Sequence, residues 1–320
     1  MTHHRTLRLA VAAAVLLAAP AHAQREVNQR RDASPTGRVE IQLHAGTVRV
    51  VGWSRGQVQV TGTLAGRDEL QLEGSGRTVE VGVDPAGRRA GPATLEVRVP
   101  AGSTVSVSSG GSVTVSGVTG AVEAESRSGP VTVQGSPRTV EATAHSGPVT
   151  VEGRADRVEV TAMSGPVRIA ADVRQRVDIT AMSGPVDVLG AVGEVEISAL
   201  SGDVRVANAT GRVEVDGVSG NVTVNGSRMR GNVNTVSGNI LVSGSLGGAM
   251  SMETHGGNVE WRVPSGTSAE VEVATFNGGF RSDFGNGSRE SHNERRLSIG
   301  RGGPAVSIST FSGDVKLSRR

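Results

Sequence analysis

The chain has 320 residues, 33 Lys+Arg against 31 Asp+Glu, a formal net charge of +2, 45 Gly, only 2% aromatic residues, and no Cys or Tyr. That composition excludes a disulfide framework or thiolate metal centre and the aromatic girdles of an outer-membrane barrel. With 36% hydrophobic residues, charge-driven disorder is excluded too.

Taken in chain order, residues 1–23 carry Arg5 and Arg8, then an 11-residue apolar run, LAVAAAVLLAA, from Leu9 to Ala19, then Pro20-Ala21-His22-Ala23. A basic start, a short apolar run and a small-residue stop predict a signal peptide, with Ala21 and Ala23 before the cut and Gln24 after it. The run is too short to span a bilayer, and no later run is long enough, so no membrane span is expected once the signal is removed. The chain is therefore expected to be exported, to the periplasm or the cell surface. Without Arg5 and Arg8 the remaining charges balance at zero, which leaves little long-range steering of partners.

Residues 24–37 (QREVNQRRDASPTG) are polar and read as a mobile linker. Residues 38–100 contain strand-like runs, VEIQL, TVRVVGW, QVQVTGTL, LQLEG, TVEVGV and TLEVRVP, and are expected to form a β-rich N-terminal cap over an exposed sheet edge.

Residues 101–264 are a repeat. Ser-Gly recurs at Ser128, Ser146, Ser164, Ser183, Ser201, Ser219 and Ser237, in steps of 18 residues with a single 19. Val122, Val140, Val158, Val177, Val195 and Val213 follow the same period. Within a unit, Val158 and Val160 share one face of a strand and Glu159 the other; after the Ser164-Gly165-Pro166 corner, Val167 and Ile169 share a face opposite Arg168. Two short strands per unit cannot bury their apolar faces alone, whereas stacked copies can. Between Trp53 and Trp261 there is no aromatic residue, as suits a thin interior filled by Val and Ala. A left-handed solenoid would show an aliphatic residue every six positions, and a Ca²⁺-binding nonapeptide roll would need a regular Asp where Pro130, Pro148, Pro166 and Pro185 stand. The expected fold is all-β: a right-handed parallel β-solenoid with coils of about 18 residues.

Residues 265–320 are expected to form an aromatic-containing C-terminal cap, with a Gly/Ser/Arg-rich loop at 285–303 and a last coil at Pro304–Leu317. Phe276, Phe280, Phe284 and Phe311 are read as a plug over the final coil.

The string LEVRVPAGSTVSVSSGGSVTVSGVTGAVEA, the repeated SGPVTV, SGDVRV and SGNVTV, and the closing TFSGDVKLS resemble a bacterial family of uncharacterised Gly/Val-rich β-strand-repeat proteins described as putative adhesins. The likeness covers roughly residues 38–320. It implies an exported, solenoid-like protein and carries no catalytic residues over.

Chemistry is sparse. Beyond residue 23 the histidines are His44, His145, His255 and His292, none at metal-ligand spacing, and His145 and His255 are expected at like corners six coils apart as solvated residues. No cofactor is implied: phosphate-loop and nucleophile-elbow patterns are missing. Met163, Met182, Leu200, Val218 and Val236 follow Arg127 and His145 at the corner and read as packing under the turn. Glu123, Glu141, Glu159, Asp178, Glu196 and Glu214 should stack on one outer face. Arg157, Arg176 and Arg212 lie two residues before Glu159, Asp178 and Glu214, which predicts an Arg/carboxylate lattice; the competing reading is a binding stripe for divalent cations or polysaccharide. Charge balance, few aromatics and export exclude a nucleic-acid partner. The expected function is therefore a non-enzymatic structural or adhesin-like surface in the cell envelope, facing a polymer or protein there. The alternative is a polysaccharide-processing or cation-binding module.

Overall fold

The computed structural model describes residues 24–87, 91–291 and 293–320. The predicted signal peptide, Ala21 and Ala23 included, and His292 lie outside the described residues; Gln24 opens the first strand. Among the described residues there are 24 strands and no helix, joined mostly in parallel. The fold is a β-solenoid.

Each coil lays one strand on each of two long faces. On the first, Ala121–Ser126 pairs with Thr139–Ala144, which pairs with the second half of Val149–Ala162. On the second, Val131–Gly135 pairs with the first half of that same strand, which bends from one face to the other. The registers align Val122, Val140, Val158, Val177, Val195 and Val213 in one column, none more than 2% exposed. Beside it runs a column that shrinks from Ile41 and Val107 to Ala124 and Ala142 and grows again through Val160 to Ile179 and Ile197, so the interior is narrowest at the two alanines. It is wide enough near the far end to bury Trp261 between Val242 and Leu317.

The corners are governed by close approach of backbones. Gly165 has φ +122°, and a Cβ there would stand 2.4 Å from the carbonyl oxygen of Gly147 in the preceding coil. Only glycine combines that dihedral with that contact. Two positions after Gly, the early coils continue with Val after Pro, and the later coils replace the Pro by Asp or Asn. These form a ladder: Asn221 donates its backbone N–H (2.8 Å) and Nδ2 (3.1 Å) to Asp203 Oδ1, Asn239 donates N–H (3.1 Å) and Nδ2 (2.9 Å) to Asn221 Oδ1, and Asn258 N–H reaches Asn239 Oδ1 at 3.0 Å. Proline has no N–H at this position, so its coils leave no donor to satisfy. Asn239→Ala removes bonds to both neighbouring coils and should cost about 1–2 kcal/mol, read as a lowered urea midpoint.

Both ends depart from the sequence expectation. Residues 24–37 are not a mobile linker. Gln24–Leu43 is one strand whose first part runs antiparallel to Gln57–Ala65, from Gln24 opposite Ala65 to Asp32 opposite Gln57. Polar edge strands are held by backbone hydrogen bonds, so they lack the apolar alternation that marks a core strand. The region 38–100 is also more than a cap. Arg38–Leu43 and Gly46–Trp53 form a true coil, flanked on one side by strands Glu69–Asp84 and Ala93–Pro100 and on the other by Thr104–Ser109 and Val113–Ser116.

At the far end, Pro304–Leu317 is not the last coil. Ala305–Ser312 lies between Ile240–Gly256 and Ala269–Thr275, and Val315–Arg319 between Val259–Val263 and Phe280–Ser282. The C-terminal segment fills a rung that the chain skipped on its way outward. The segment 285–303 is not merely a loop: Glu294–Ile299 pairs antiparallel with Ala269–Thr275 and covers that edge. Phe280 and Phe284 pack against the core, but Phe276 and Phe311 are exposed, so the four rings are not a common plug.

Candidate functional site

Two outer ladders compete as the functional surface. The acidic one stacks as expected: Glu123, Glu141, Glu159, Asp178, Glu196 and Glu214 occupy equivalent positions on successive coils, with Asn232 next. Arginine is woven through it. Arg157 reaches Glu159 at 3.5 Å and Asp178 of the next coil at 3.6 Å. Arg176 bonds Asp178 at 3.0 Å, Glu194 at 3.7 Å, and Glu196. Arg212 bonds Glu214 and lies 3.9 Å from Glu194. Arg38 pairs with Glu40 at 2.6 Å and reaches Glu123, two coils away, at 3.7 Å.

Partial burial works against the charge of Arg176, yet the carboxylates of Asp178, Glu196 and Glu194 outweigh it and hold its guanidinium above the usual arginine value. The bond to Glu214 raises Arg212 likewise. The same-coil pairs were legible from the two-residue spacing; the cross-coil reach of Arg38 and the part played by Glu194 were not, because they depend on which rotamer bridges the rungs. Among the described residues, no three of His, Asp and Glu converge as a metal group. Exposed pairs of this kind contribute ~0–1 kcal/mol each. Glu159→Ala should accordingly shift the melting temperature by no more than a few degrees.

The second ladder is apolar. Met163, Met182, Leu200, Val218 and Val236 stand at the same bend of successive coils, bracketed by the paired Ala162, Ala181, Ala199, Gly217 and Thr235 before them and by Ser219 and Ser237 after the later two. His255, Phe311 and Phe276 continue the row, in that spatial order. These side chains are not packed under the turn. The five aliphatic ones and the two Phe are 42–60% exposed, and they are all of the large apolar side chains so exposed among the described residues. The inward position at the bend is already taken, by Ala in the middle coils, at Gly217 by the neighbouring Thr235 side chain, and by hydroxyls elsewhere: Ser126 donates to Gly111 O (2.7 Å), Thr254 to Gly238 O (3.1 Å) and Thr310 to Gly257 O (3.0 Å). With that slot filled, the next side chain must point outward.

His255 is more than a solvated corner. Its ring stacks on Phe311 (4.8 Å between centroids, 4° apart), and Phe311 stacks on Phe276 (5.0 Å, 8°). The five aliphatic members were visible in the sequence as a run of apolar residues at a turn position. The aromatic members were hidden, since Phe311 precedes Phe276 in space but follows it in the chain. His145, at the start of the row, lies six coils from His255, and His44 lies on the N-terminal coil.

No curated protein matches this chain. Among solved structures it is similar to a putative adhesin of Bacteroides fragilis NCTC 9343 (12% identity, 92% of this chain and 98% of that one, TM-score 0.37). It is also similar to one of Parabacteroides distasonis ATCC 8503 (9% identity, 92% and 97%, TM-score 0.36). The description Toastrack DUF4097 matches residues 37–227 and 210–318, nearly the whole described solenoid. The chain belongs to the Toastrack DUF4097 family.

Proposed function

We propose that the protein is an exported, non-enzymatic binding surface of the cell envelope that engages its partner along the length of the solenoid. The observation that carries this is the apolar row. Exposed apolar side chains scattered singly are ordinary, but a contiguous set collected on one edge marks an interaction surface. Five of the six ladder carboxylates, Glu123, Glu159, Asp178, Glu196 and Glu214, are engaged by Arg38, Arg157, Arg176 and Arg212, which supports a structural role for the acidic face. Export rests on the residues before Gln24. Because Gln24 is already paired opposite Ala65, a chain beginning there keeps every residue of the described sheet.

The test is retention on isolated envelope material. Wild-type protein should co-sediment with it, and a Met182→Ser/Leu200→Ser/Phe311→Ser variant of unchanged melting temperature should not. Equal retention of both, or of neither, removes the apolar row from the function.

A further inference from the structure

Building on that reading, we infer that the partner of the apolar row is a lipid surface with neutral headgroups, into which the bend of the solenoid dips along its length. The first argument is shape. From Met163 to Phe276 the row counts eight rungs, about 34 Å at ~4.8 Å per rung, and is one side chain wide. Seven large side chains, each about half exposed, stand in a single file, whereas a standard protein interface draws its ~800 Å² per partner from a broad patch. A rigid protein partner, including a second copy of this chain, meets such a ridge along a single line. A lipid interface closes around it from both sides and needs no complementary groove.

The second argument is charge. From Met163 to Leu200 the row runs between hydroxyl rails, Thr161, Thr180 and Ser198 on one side and Ser164, Ser183 and Ser201 on the other; beside Val218 and Val236 the first rail continues as Asp216 and Asn234. No Arg or Lys lies within two residues along the chain of any member from Met163 to Phe276, where the charged residues are the acids Asp216 and Glu253; the one cation on this column, Arg127, stands two rungs before Met163, beyond the end of the apolar run. Attraction to anionic headgroups, which needs a basic flank, is therefore missing, while neutral headgroups can bond the hydroxyls.

The third is the ring stack. Because His255, Phe311 and Phe276 lie face to face along the solenoid, their inner faces cover one another and their edges point outward. A sugar-stacking platform needs free ring faces; edges suit acyl chains.

The experiment is flotation of the full mature chain with phosphatidylcholine vesicles, alone or with half the lipid replaced by phosphatidylglycerol, at low and high salt. Wild type should float with pure phosphatidylcholine, and salt should leave the bound fraction unchanged. The Met182→Ser/Leu200→Ser/Phe311→Ser variant, melting like wild type, should bind at least about tenfold more weakly. Failure of wild type to float, binding that requires phosphatidylglycerol and vanishes in salt, or equal binding by the variant overturns the inference. So does a wild-type dimer in sedimentation equilibrium that the variant loses, which would assign the row to a second copy. Retention on envelope material without vesicle binding leaves the lateral-surface reading standing and overturns only the lipid; loss of both overturns both.

Discussion

Val160→Asp should leave the protein without a cooperative melt at room temperature. Val160 is fully buried, in register with Ala142 in the coil before and Ile179 in the coil after. Its neighbours in the interior are the side chains of Val, Ala and Ile, so an aspartate there finds no cation and no donor. Burying a polar group without a partner costs about 2–7 kcal/mol, and a charge more, against a total stability of ~5–15 kcal/mol. In a stack each coil is held only by its neighbours, so the damage at mid-solenoid divides the array. The control is Val160→Ala, which leaves the side chain that Ala142 already places in this column and should cost only about 1–2 kcal/mol. Circular dichroism during heating checks both. An aspartate variant that melts within a few degrees of wild type would show that the column does not face inward.

Ending the chain after Gly303 should release the outermost coil while the remainder stays folded. The lost segment carries Val306, Ile308, Val315 and Leu317, all buried. At about 1.5–3 kcal/mol for each buried side chain, their removal takes away roughly 6–12 kcal/mol of local stabilisation. It also removes the rung that, among the described residues, connects Ile240–Val263 to the strands Ala269–Thr275 and Phe280–Ser282, which would be left facing an empty slot. Polar contacts fasten the segment as well, among them Glu260 Oε1, which accepts from Lys316 (3.3 Å) and Ser318 (3.1 Å) of the segment and from Arg262 (3.2 Å) of its own strand. Burial opposes the charge of Glu260, but these donors outweigh it and hold its carboxyl below the usual glutamate value. Its contribution is therefore complete above the ordinary carboxylate range and fades as pH falls through the lowered value. Limited proteolysis should cut the truncated chain between Pro264 and Gly303 and leave a resistant fragment from Gln24 to about Val263. A truncated chain that resists cleavage throughout would mean that Ala305–Arg319 is not structural. A peptide of residues 304–320 added in trans should restore protection by refilling the slot.

The end of the chain shows where reading the residues alone stops. Ala305–Ser312 has the same alternation as every coil strand, and SGDVKL repeats the corner seen at SGDVRV. Both features correctly identify a coil. Neither says which neighbours it takes, because parallel strands with one period-2 pattern fit any rung of the stack equally well. The same ambiguity scattered the apolar row: Met163 to Val236 are spaced by the period, while His255, Phe311 and Phe276 join only once the inserted rung has placed Phe311 between the other two. The strand at Gln24–Asp32 was invisible for another reason. It is an edge strand paired through its backbone, and its side chains are almost all in solvent.

What the residues determined by themselves is most of what is local to one coil: its length, which strand side chains face in, the glycine corners and the stacking of Glu123 through Glu214. Strand alternation and a constant period dictate these wherever the coil sits. The tertiary structure alone decided the order of rungs at both ends, the bridging of Arg38 and Arg176 across coils, and the exposure of the apolar bend. Those depend on which open edge each strand met and on which side chain had already filled the space inside.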